Sequence, residues 1–351
     1  MRLVTKISGV GAYAPERIIT NDHVLNLLER KSSPYLDPEE LPTFMQKAKE
    51  KIEKAGNKTR YWCHEDEYCT DIALEASKIA LEDAGVQPNE IDLIVFTGMS
   101  KAFVEPATSH VLRNDLKAKN ANVIDTQDAC TSFLKSIEMV DALIKTGVYK
   151  KVLIAAGERS FDWANFTCKT VDELKWKLAS CTIGDAAGAI VLGATEEPEY
   201  TEEDKHMRFF NKMSEGDYSV CNIGLNHAVG DRYQLYSHSA RLLNTGRRVM
   251  SELMADIFAQ DSWKDFVFDK VLHHDVGSWV NNAIVEILEE SEVKYHDGHE
   301  PYFSEYGNVA SASLPLAMHL AKKGGRLKRG DKCLFACPAA GIQAGVMTFK
   351  Y

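Results

Sequence analysis

The sequence predicts an α/β protein built from two similar halves. Amphipathic helical patterns alternate with short apolar runs, as in DIALEASKIALEDAGVQPNEIDLIVFTG (71–98). A comparable unit occurs in the C-terminal half, in GRRVMSELMADIFAQDSWKDFVFDKVLHHDVGS (246–278). Because strands that alternate with helices form sheets with helices packed on them, the pattern favours an α/β fold. Its recurrence in both halves of the chain predicts an internal duplication.

The N-terminal half contains two of these units. In the first, a helical stripe ends at Gly85 and a buried strand follows at 91–96. In the second, a strand at Asn122–Thr126 leads to Cys130 and a further helix, which Gly147 ends. The apolar stripes of the two helices are Ile72, Ala76, Ile79 and Ala80, then Phe133, Leu134, Ile137, Val140, Leu143 and Ile144.

The C-terminal half repeats both units. A helical stripe of Val249, Leu253, Ile257 and Phe258 precedes a strand at 268–272. Later, a helix follows Asn308, and DKCLFACPAAG (331–341) forms the next strand. Between the halves, the more polar stretch 195–235 is expected to loop outward.

Composition and charge exclude several functional classes. The formal net charge of −10 disfavours nucleic acid as a partner. The basic run KKGGRLKRGDK (322–332) is interpreted either as a docking site for an acidic protein or as a solvated turn. No apolar run is long enough to span a membrane, and the N-terminus is unlike a signal peptide, so we expect a cytoplasmic protein. The eight cysteines show no zinc-site or disulfide spacing, so reduced thiols and no metal are expected.

Cys130 lies where an apolar strand gives way to a helix. The free N–H groups of a helix N-terminus carry partial positive charge, which favours a thiolate. This position predicts a nucleophilic thiol. The alternative is that Cys130 is a small buried hydrophobic residue, as many cysteines at such joints are.

Partners for a nucleophilic thiol stand at element ends in the C-terminal half. His273 and His274 follow an apolar strand, and Asn308 precedes a helix. Because side chains at the carboxyl ends of strands meet in one crevice, these residues are candidates for a shared site with Cys130. A single histidine at a strand end can equally be structural.

A series of motifs gives the chain a family resemblance along almost its whole length. The chain resembles the thiolase-like condensing enzymes of the β-ketoacyl-acyl carrier protein synthase III type. The matching segments are SGVGAYAPERIITND (8–22), KAGNKTR (54–60), the helix–strand unit at 71–98, DTQDACTSF (125–133), TIGDAAGAIVLG (182–193), HHDVGS (273–278), YGNVASASLPLAM (306–318) and CPAAGIQAG (337–345).

The resemblance implies a fold and a set of roles. The implied fold is the thiolase fold, in which two duplicated βαβαβαββ halves form a five-layered α-β-α-β-α sandwich. The halves are 1–194, with the nucleophile, and 195–351, with the catalytic histidine and asparagine. Cys130 accepts the acyl group, and His274 and Asn308 complete the catalytic set. The backbone N–H groups of Cys130 and Ala340 form the oxyanion hole.

Several positions depart from the family pattern. The adenine-stacking tryptophan expected near Glu50 is absent, which leaves coenzyme A binding open. Trp279 replaces a basic residue, and Asp275 begins the segment that replaces Gln-Ala-Asn. Asp128, two residues before Cys130, would oppose a thiolate if it faced the sulfur, so we expect it to point away or to pair with a cation.

The resemblance implies an acyltransferase, specifically a ketosynthase. It would load an acyl group from acyl-CoA or acyl carrier protein on Cys130 and condense it with a malonyl- or β-ketoacyl-thioester, without a cofactor or metal. The departures favour specialised fatty-acid or polyketide-type biosynthesis, or secondary metabolism. Acyl transfer to oxygen or nitrogen and a non-catalytic subunit remain alternatives. The family also implies a homodimer, in which Phe103 lines the partner's substrate tunnel; the alternative is an ordinary surface loop.

Overall fold

The structure is a computed structural model that describes residues 2–197, 207–226, 232–299 and 301–351. It contains two five-stranded sheets and two short two-stranded sheets in the described residues. The α-helices are α1 (Asn21–Ser32), α2 (Leu41–Ala55), α3 (Cys69–Ala84), α4 (Ser109–Asp115), α5 (Ser132–Lys145), α6 (Leu174–Lys177), α7 (Ser239–Phe258), α8 (Ser278–Glu290), α9 (Phe303–Tyr306) and α10 (Ser313–Lys323).

The strands divide between the sheets in chain order. Those before residue 198 are β1 (Arg2–Tyr13), β2 (Ile18–Thr20), β3 (Thr59–Tyr61), β4 (Leu93–Thr97), β5 (Asn122–Thr126), β6 (Lys151–Glu158) and β7 (Ala186–Glu197). Those after residue 206 are β8 (Met207–Met213), β9 (Cys221–Asn226), β10 (Arg232–Ser237), β11 (Val267–His273), β12 (Lys294–Asp297), β13 (Lys332–Ala339) and β14 (Gln343–Lys350).

The two large sheets have matching topologies. The first has the order β1-β7-β6-β4-β5, and the second has β8-β14-β13-β11-β12 when it is written in the same direction. In each sheet, three strands are mutually parallel, and the last strand of the half runs antiparallel between one of them and the first strand of the half. The large sheets and the helices between their strands give the order βαβαβαββ twice. The predicted internal duplication and α/β class are confirmed.

Helices cover both sheets and separate them. Helices α5 and α10 lie between the sheets, where Phe133 and Leu314 share a core with Val95 of the first sheet and Phe335 of the second. Helix α3 covers the outer face of the first sheet. Helices α7 and α8 cover the outer face of the second. The layers therefore follow the predicted α-β-α-β-α order.

Helix α2 adds a separate core beside the first sheet. Its segment, 41–55, is rich in charged residues. Phe44 and Ile52 of α2 are fully buried against Trp62 and Phe166. The apolar side of this amphipathic helix therefore anchors it, and its charged residues face solvent.

The stretch between the halves corrects one expectation. Residues 195–235 were expected to loop outward, but the described part contains the end of β7 and strands β8, β9 and β10. Strand β8 pairs with β14 from Met207 to Met213, so this polar segment forms an edge strand of the second sheet. The boundary after residue 194 stays a prediction, and strand β7 continues past it to Glu197.

The basic run at 322–332 is partly engaged within the molecule. Lys322 pairs with Asp83, and the Arg329 guanidinium donates to the carbonyl groups of Ile7 and Ser8. These contacts favour the interpretation as a structural turn.

No helix in the described residues is long and apolar enough to cross a membrane.

Candidate active site

Cys130 lies in the turn between β5 and α5, as the sequence predicts. The strand ends at Thr126, and the helix begins at Ser132. Ala129 adopts a left-handed φ of 47°, which reverses the chain just before the thiol. The Ser132 hydroxyl accepts a hydrogen bond from the Asp128 N–H and donates one to the Ala129 carbonyl, both at 2.6 Å. The turn is therefore held by its own side chains.

The pKa of Cys130 differs from the expectation. Burial raises the pKa of the thiol above its ordinary value, and the neighbouring Cys221 and Glu158 act in the same direction. A backbone N–H group lowers the pKa, but to a smaller extent. The structure therefore does not support the expected thiolate in the ligand-free protein, because burial raises the pKa of the thiol. Cys130 rests as a thiol and must lose its proton when it reacts.

His274 follows the last residue of β11 and is buried. Its backbone N–H donates to the Ala336 carbonyl of β13 at 2.9 Å. Burial lowers the pKa of His274 to about 4, so the imidazole is neutral at pH 7. The buried Nδ1 atom has no hydrogen-bond partner in the described part of the chain. His274 is thus a buried, neutral ring that its backbone attaches to β13.

Strand β13 connects Cys130 to His274. The Cys337 thiol donates a weak hydrogen bond to the Cys130 carbonyl, with 3.5 Å between sulfur and oxygen. The preceding residue, Ala336, accepts the His274 N–H. The backbones of Cys130 and His274 therefore contact two adjacent residues of β13, Cys337 and Ala336.

Asn308 reaches the same region from the opposite side. Its backbone N–H donates to the Thr182 carbonyl at 2.9 Å, and its own carbonyl accepts from Gly184 at 3.0 Å. Its side-chain Oδ1 accepts from the Ala310 N–H at 2.9 Å. The 3-10 turn Ala310–Ala312 that follows packs against α5, the helix that Cys130 precedes. In the described residues, no direct hydrogen bond joins the side chains of Cys130, His274 and Asn308.

Ala340 lies beyond the end of β13, and Gln343 links its turn to the cysteine turn. The Gln343 side-chain amide donates to Asp128 Oδ1 at 2.8 Å and to the Ala340 carbonyl at 3.3 Å. Thr131 donates to the other Asp128 oxygen at 3.2 Å. Asp128 therefore pairs with an amide and a hydroxyl instead of a cation, and the alternative expectation, that it points away from the sulfur, stays a prediction. The two residues assigned to the oxyanion hole stand on turns that Gln343 holds together.

Glu158 is a buried carboxylate that the sequence reading did not single out. It ends β6 and accepts hydrogen bonds from the N–H groups of Met99 and Ser100, each at 3.2 Å. It also accepts from the hydroxyl of Ser311, in the turn after Asn308. Burial raises its pKa, although these donors act against the shift. The only feature of the sequence that could have indicated Glu158 is its position as a charged residue at the end of an apolar strand.

A cleft of about 1410 Å³ opens beside α1 and α6. Its walls combine aromatic rings, amides and lysines, and Gln234 and Tyr236 of β10 belong to them. The other lining residues that bear on ligand chemistry are Lys31, Tyr35, Phe161, Asn165, Lys169, Trp176, Lys177 and Asn222.

Phe103 and Trp279 are at the surface. The Phe103 side chain is 50% exposed, in a loop where Val104 is completely exposed. Phe103 does not line the cleft described above. Trp279 is 37% exposed near the start of α8. The tunnel-lining role of Phe103 therefore stays a prediction that requires a second subunit.

Two family models match the chain. The model described as 3-oxoacyl-[acyl-carrier-protein (ACP)] synthase III matches residues 124–208, and the model of its C-terminal part matches 262–351. These segments contain Cys130, His274 and Asn308. The chain belongs to the thiolase-like condensing enzymes of the synthase III type. The family predicted from the motifs is confirmed.

Curated relatives extend the match to almost the whole chain. A β-ketoacyl-[acyl-carrier-protein] synthase III from Aquifex aeolicus is 27% identical over 99% of this chain and 99% of its own. The enzyme of the same name from Listeria welshimeri is 26% identical, with 98% of each chain covered. This condensing enzyme is therefore similar to these synthases from end to end.

Solved structures confirm the fold. The crystal structure of the synthase III from Aquifex aeolicus matches with a TM-score of 0.74 at 24% identity, covering 99% of this chain and 100% of that one. The cerulenin-bound OleA from Xanthomonas campestris matches with a TM-score of 0.79 at 19% identity, covering 99% and 98%. The condensing enzyme described here therefore has the thiolase fold.

Proposed function

We propose that the protein is a ketosynthase that loads an acyl group on Cys130 and extends it by carbon–carbon bond formation. The observation that supports the proposal best is that Cys130 and His274 contact adjacent residues of β13: the Cys130 carbonyl accepts from Cys337, and the His274 N–H donates to Ala336. Family membership supports the same chemistry. No metal or organic cofactor takes part in the proposed reaction.

In the first half-reaction, the Cys130 sulfur attacks the carbonyl of an acyl thioester. The N–H groups of Cys130 and Ala340 stabilise the negative oxygen of the tetrahedral intermediate. A single donor of this kind contributes about 2.7–4 kcal/mol. The carbon–sulfur bond of the donor breaks, the carrier leaves as a thiol with the proton from Cys130, and the acyl group stays on the enzyme.

In the second half-reaction, a malonyl or β-ketoacyl thioester enters. For malonyl, CO2 leaves and an enolate forms, whose oxygen accepts hydrogen bonds from His274 and Asn308; a β-ketoacyl thioester forms its enolate by losing an α-proton to solvent. The enolate carbon attacks the acyl carbonyl, the bond to the Cys130 sulfur breaks, and the released thiolate takes up a proton from solvent. A neutral imidazole suits this role because it donates a hydrogen bond without first binding a proton, and the lowered pKa of His274 keeps it neutral.

The cleft supports a carrier-bound thioester as the substrate. Lys31, Lys169 and Lys177 provide positive charge for phosphate groups, although Lys177 already pairs with Glu173 at 2.6 Å. Trp176 and Tyr35 provide aromatic faces. Acyl-CoA and acyl carrier protein share a phosphate-bearing arm that fits these side chains. Asp128 and Asp275 depart from the family pattern, and both are held by hydrogen bonds. These departures support a role in specialised fatty-acid or polyketide-type biosynthesis.

A homodimer would complete the substrate site. Strand β5 is the edge of the first sheet, and its Ile124 side chain is 40% exposed. Exposed apolar side chains of Phe103 and Val104 lie in the loop that begins beyond neighbouring strand β4. Pairing of β5 with β5 of a second copy would cover this edge, as exposed edge strands require. It would also bring Phe103 towards the partner.

Intact-protein mass spectrometry tests the loading step. The protein is incubated with a panel of acyl-CoA and acyl-carrier thioesters, together with the variants Cys130→Ala and Cys221→Ala. Cys221 is the matched control because, apart from Cys130, it is the one half-buried thiol of the described residues. An adduct on the wild type and Cys221→Ala, but not on Cys130→Ala, supports the proposal. An adduct that survives Cys130→Ala refutes it.

A further inference from the structure

Strand β12 ends before its neighbour β11 does. The pairing of the two strands stops at Lys270 opposite Asp297, whereas β11 continues to His273. The N–H of His274 points to β13, where it donates to Ala336. Because successive N–H groups of a strand point to opposite sides, the N–H of His273 points to the side that β12 has left. A backbone donor next to the catalytic histidine therefore needs a partner other than a strand.

His299 provides that partner. Its Nδ1 atom accepts the His273 N–H at 3.1 Å. The two imidazole rings stack with 3.7 Å between centroids and an interplanar angle of 26°. The His299 side chain is only 8% exposed. It therefore continues the edge of the sheet with a side chain where the strand has ended.

The residue on the other side of His274 is held from the same direction. Asp275 donates its backbone N–H to the Tyr302 hydroxyl at 3.0 Å. Its carboxylate accepts the N–H groups of Tyr302 and Phe303, both at 3.0 Å, and lies 3.4 Å from the Nε2 atom of His299. His299 and Tyr302 together fix the backbone on both sides of His274.

The hydrogen bonds define the tautomer of His299. Since Nδ1 accepts a hydrogen bond, the ring proton is on Nε2, which faces Asp275. Burial acts to raise the pKa of Asp275, but His299 and the surrounding N–H groups hold it well below its usual range. The Asp275 carboxylate thus lies in electrostatic contact with the imidazole that supports His273, at 3.4 Å, although Nε2 makes no hydrogen bond of regular geometry in the described residues.

We propose that His299, oriented by Asp275, is a positioning residue that fixes the His274 imidazole for the condensation step. The proposal rests on the proposed function, in which His274 acts on the enolate and Cys130 accepts the acyl group. Acyl loading uses the oxyanion hole, whereas decarboxylation and condensation use the imidazole. Loss of His299 therefore acts on the second half-reaction and leaves the first intact.

Three variants test this assignment. His299→Ala removes the acceptor of the His273 N–H. His299→Asn restores an acceptor at the distance of Nδ1 without the contact to Asp275. His296→Ala is the matched control, because it removes an exposed imidazole from β12. The readouts are the rate of acyl adduct formation, the single-turnover rate of condensation with malonyl thioester, and the melting temperature.

The expected result is a split between the half-reactions. For His299→Ala, we expect condensation to fall about 10- to 100-fold, the effect of a small misplacement of a catalytic group, with loading within about twofold of the wild type. His299→Asn should recover part of the condensation rate, and His296→Ala should match the wild type. Equal losses in both half-reactions, or no loss in either, would overturn the proposal. A wild-type protein that neither loads nor condenses would instead refute the proposed function, and the inference with it.

Discussion

The bridge from Gln343 to Asp128 gives the sharpest prediction about the oxyanion hole. Gln343→Leu keeps the side-chain size but removes the amide that donates to Asp128 Oδ1 and to the Ala340 carbonyl. Gln343 is 5% exposed, so water replaces the lost donor poorly. A hydrogen bond to a charged group contributes about 1.5–3 kcal/mol, and we expect the free energy of unfolding to fall by that amount.

The same loss should appear in catalysis. The amide of Gln343 holds the Ala340 turn against the cysteine turn. If its loss raises the activation free energy of acyl loading by about 2 kcal/mol, the loading rate falls by up to about 30-fold. Condensation should fall in parallel, since both half-reactions use the same oxyanion hole. The assay compares urea unfolding and single-turnover acylation for Gln343→Leu with those for Gln260→Leu, which makes the same change at an exposed position. Loss of stability without slower acylation would refute the coupling of the two turns.

Three further predictions concern pH, packing and assembly. The pKa of His274 is about 4 in the folded protein and near 6.5 in an unfolded chain, so the free energy of unfolding should fall as the pH drops from about 6.5 towards 4. The condensation rate of the folded enzyme should stay constant above about pH 5. An inflection of that rate near pH 6.5 would contradict the prediction. Gly184→Ala places a methyl group against the Tyr306 carbonyl, so it should lower the free energy of unfolding in urea by about 1–3 kcal/mol. Gly324→Ala has more space and should leave that free energy almost unchanged. Equal losses in the two variants would contradict the close contact at Gly184. Ile124→Glu puts a charge on the edge strand β5, so the molar mass measured by light scattering should fall from that of a dimer to that of a monomer. A variant with the same molar mass as the wild type would argue against the β5 interface.

The local geometry around Cys130 could be predicted because it rests on sequence-local signals. The period of the apolar residues changes from that of a strand to that of a helix on either side of the thiol, and Gly147 marks the end of the helix. His274 and Asn308 could be selected for a similar reason, since each follows or precedes a strongly patterned element. The family resemblance then supplied their roles.

The remaining features depend on contacts that sequence patterns do not encode. Gln343 meets Asp128 across 215 positions of the chain, and nothing near either residue marks the pair. His299 follows β12 in a polar segment whose pattern predicts no partner. The pKa of Cys130 was mistaken because a helix N-terminus can be read from the sequence, whereas the depth of burial that opposes it cannot.

The most direct test of the account is a single-turnover chase of the acylated enzyme. Wild-type protein and the variants His274→Ala and Asn308→Ala are first acylated on Cys130, and malonyl thioester labelled with ¹³C is then added. The account predicts that all three proteins carry the acyl adduct, but only the wild type rapidly loses it while it forms a β-ketoacyl thioester and CO2. Loss of the adduct at the same rate in the variants, or release of the acyl group without a new carbon–carbon bond, would contradict it.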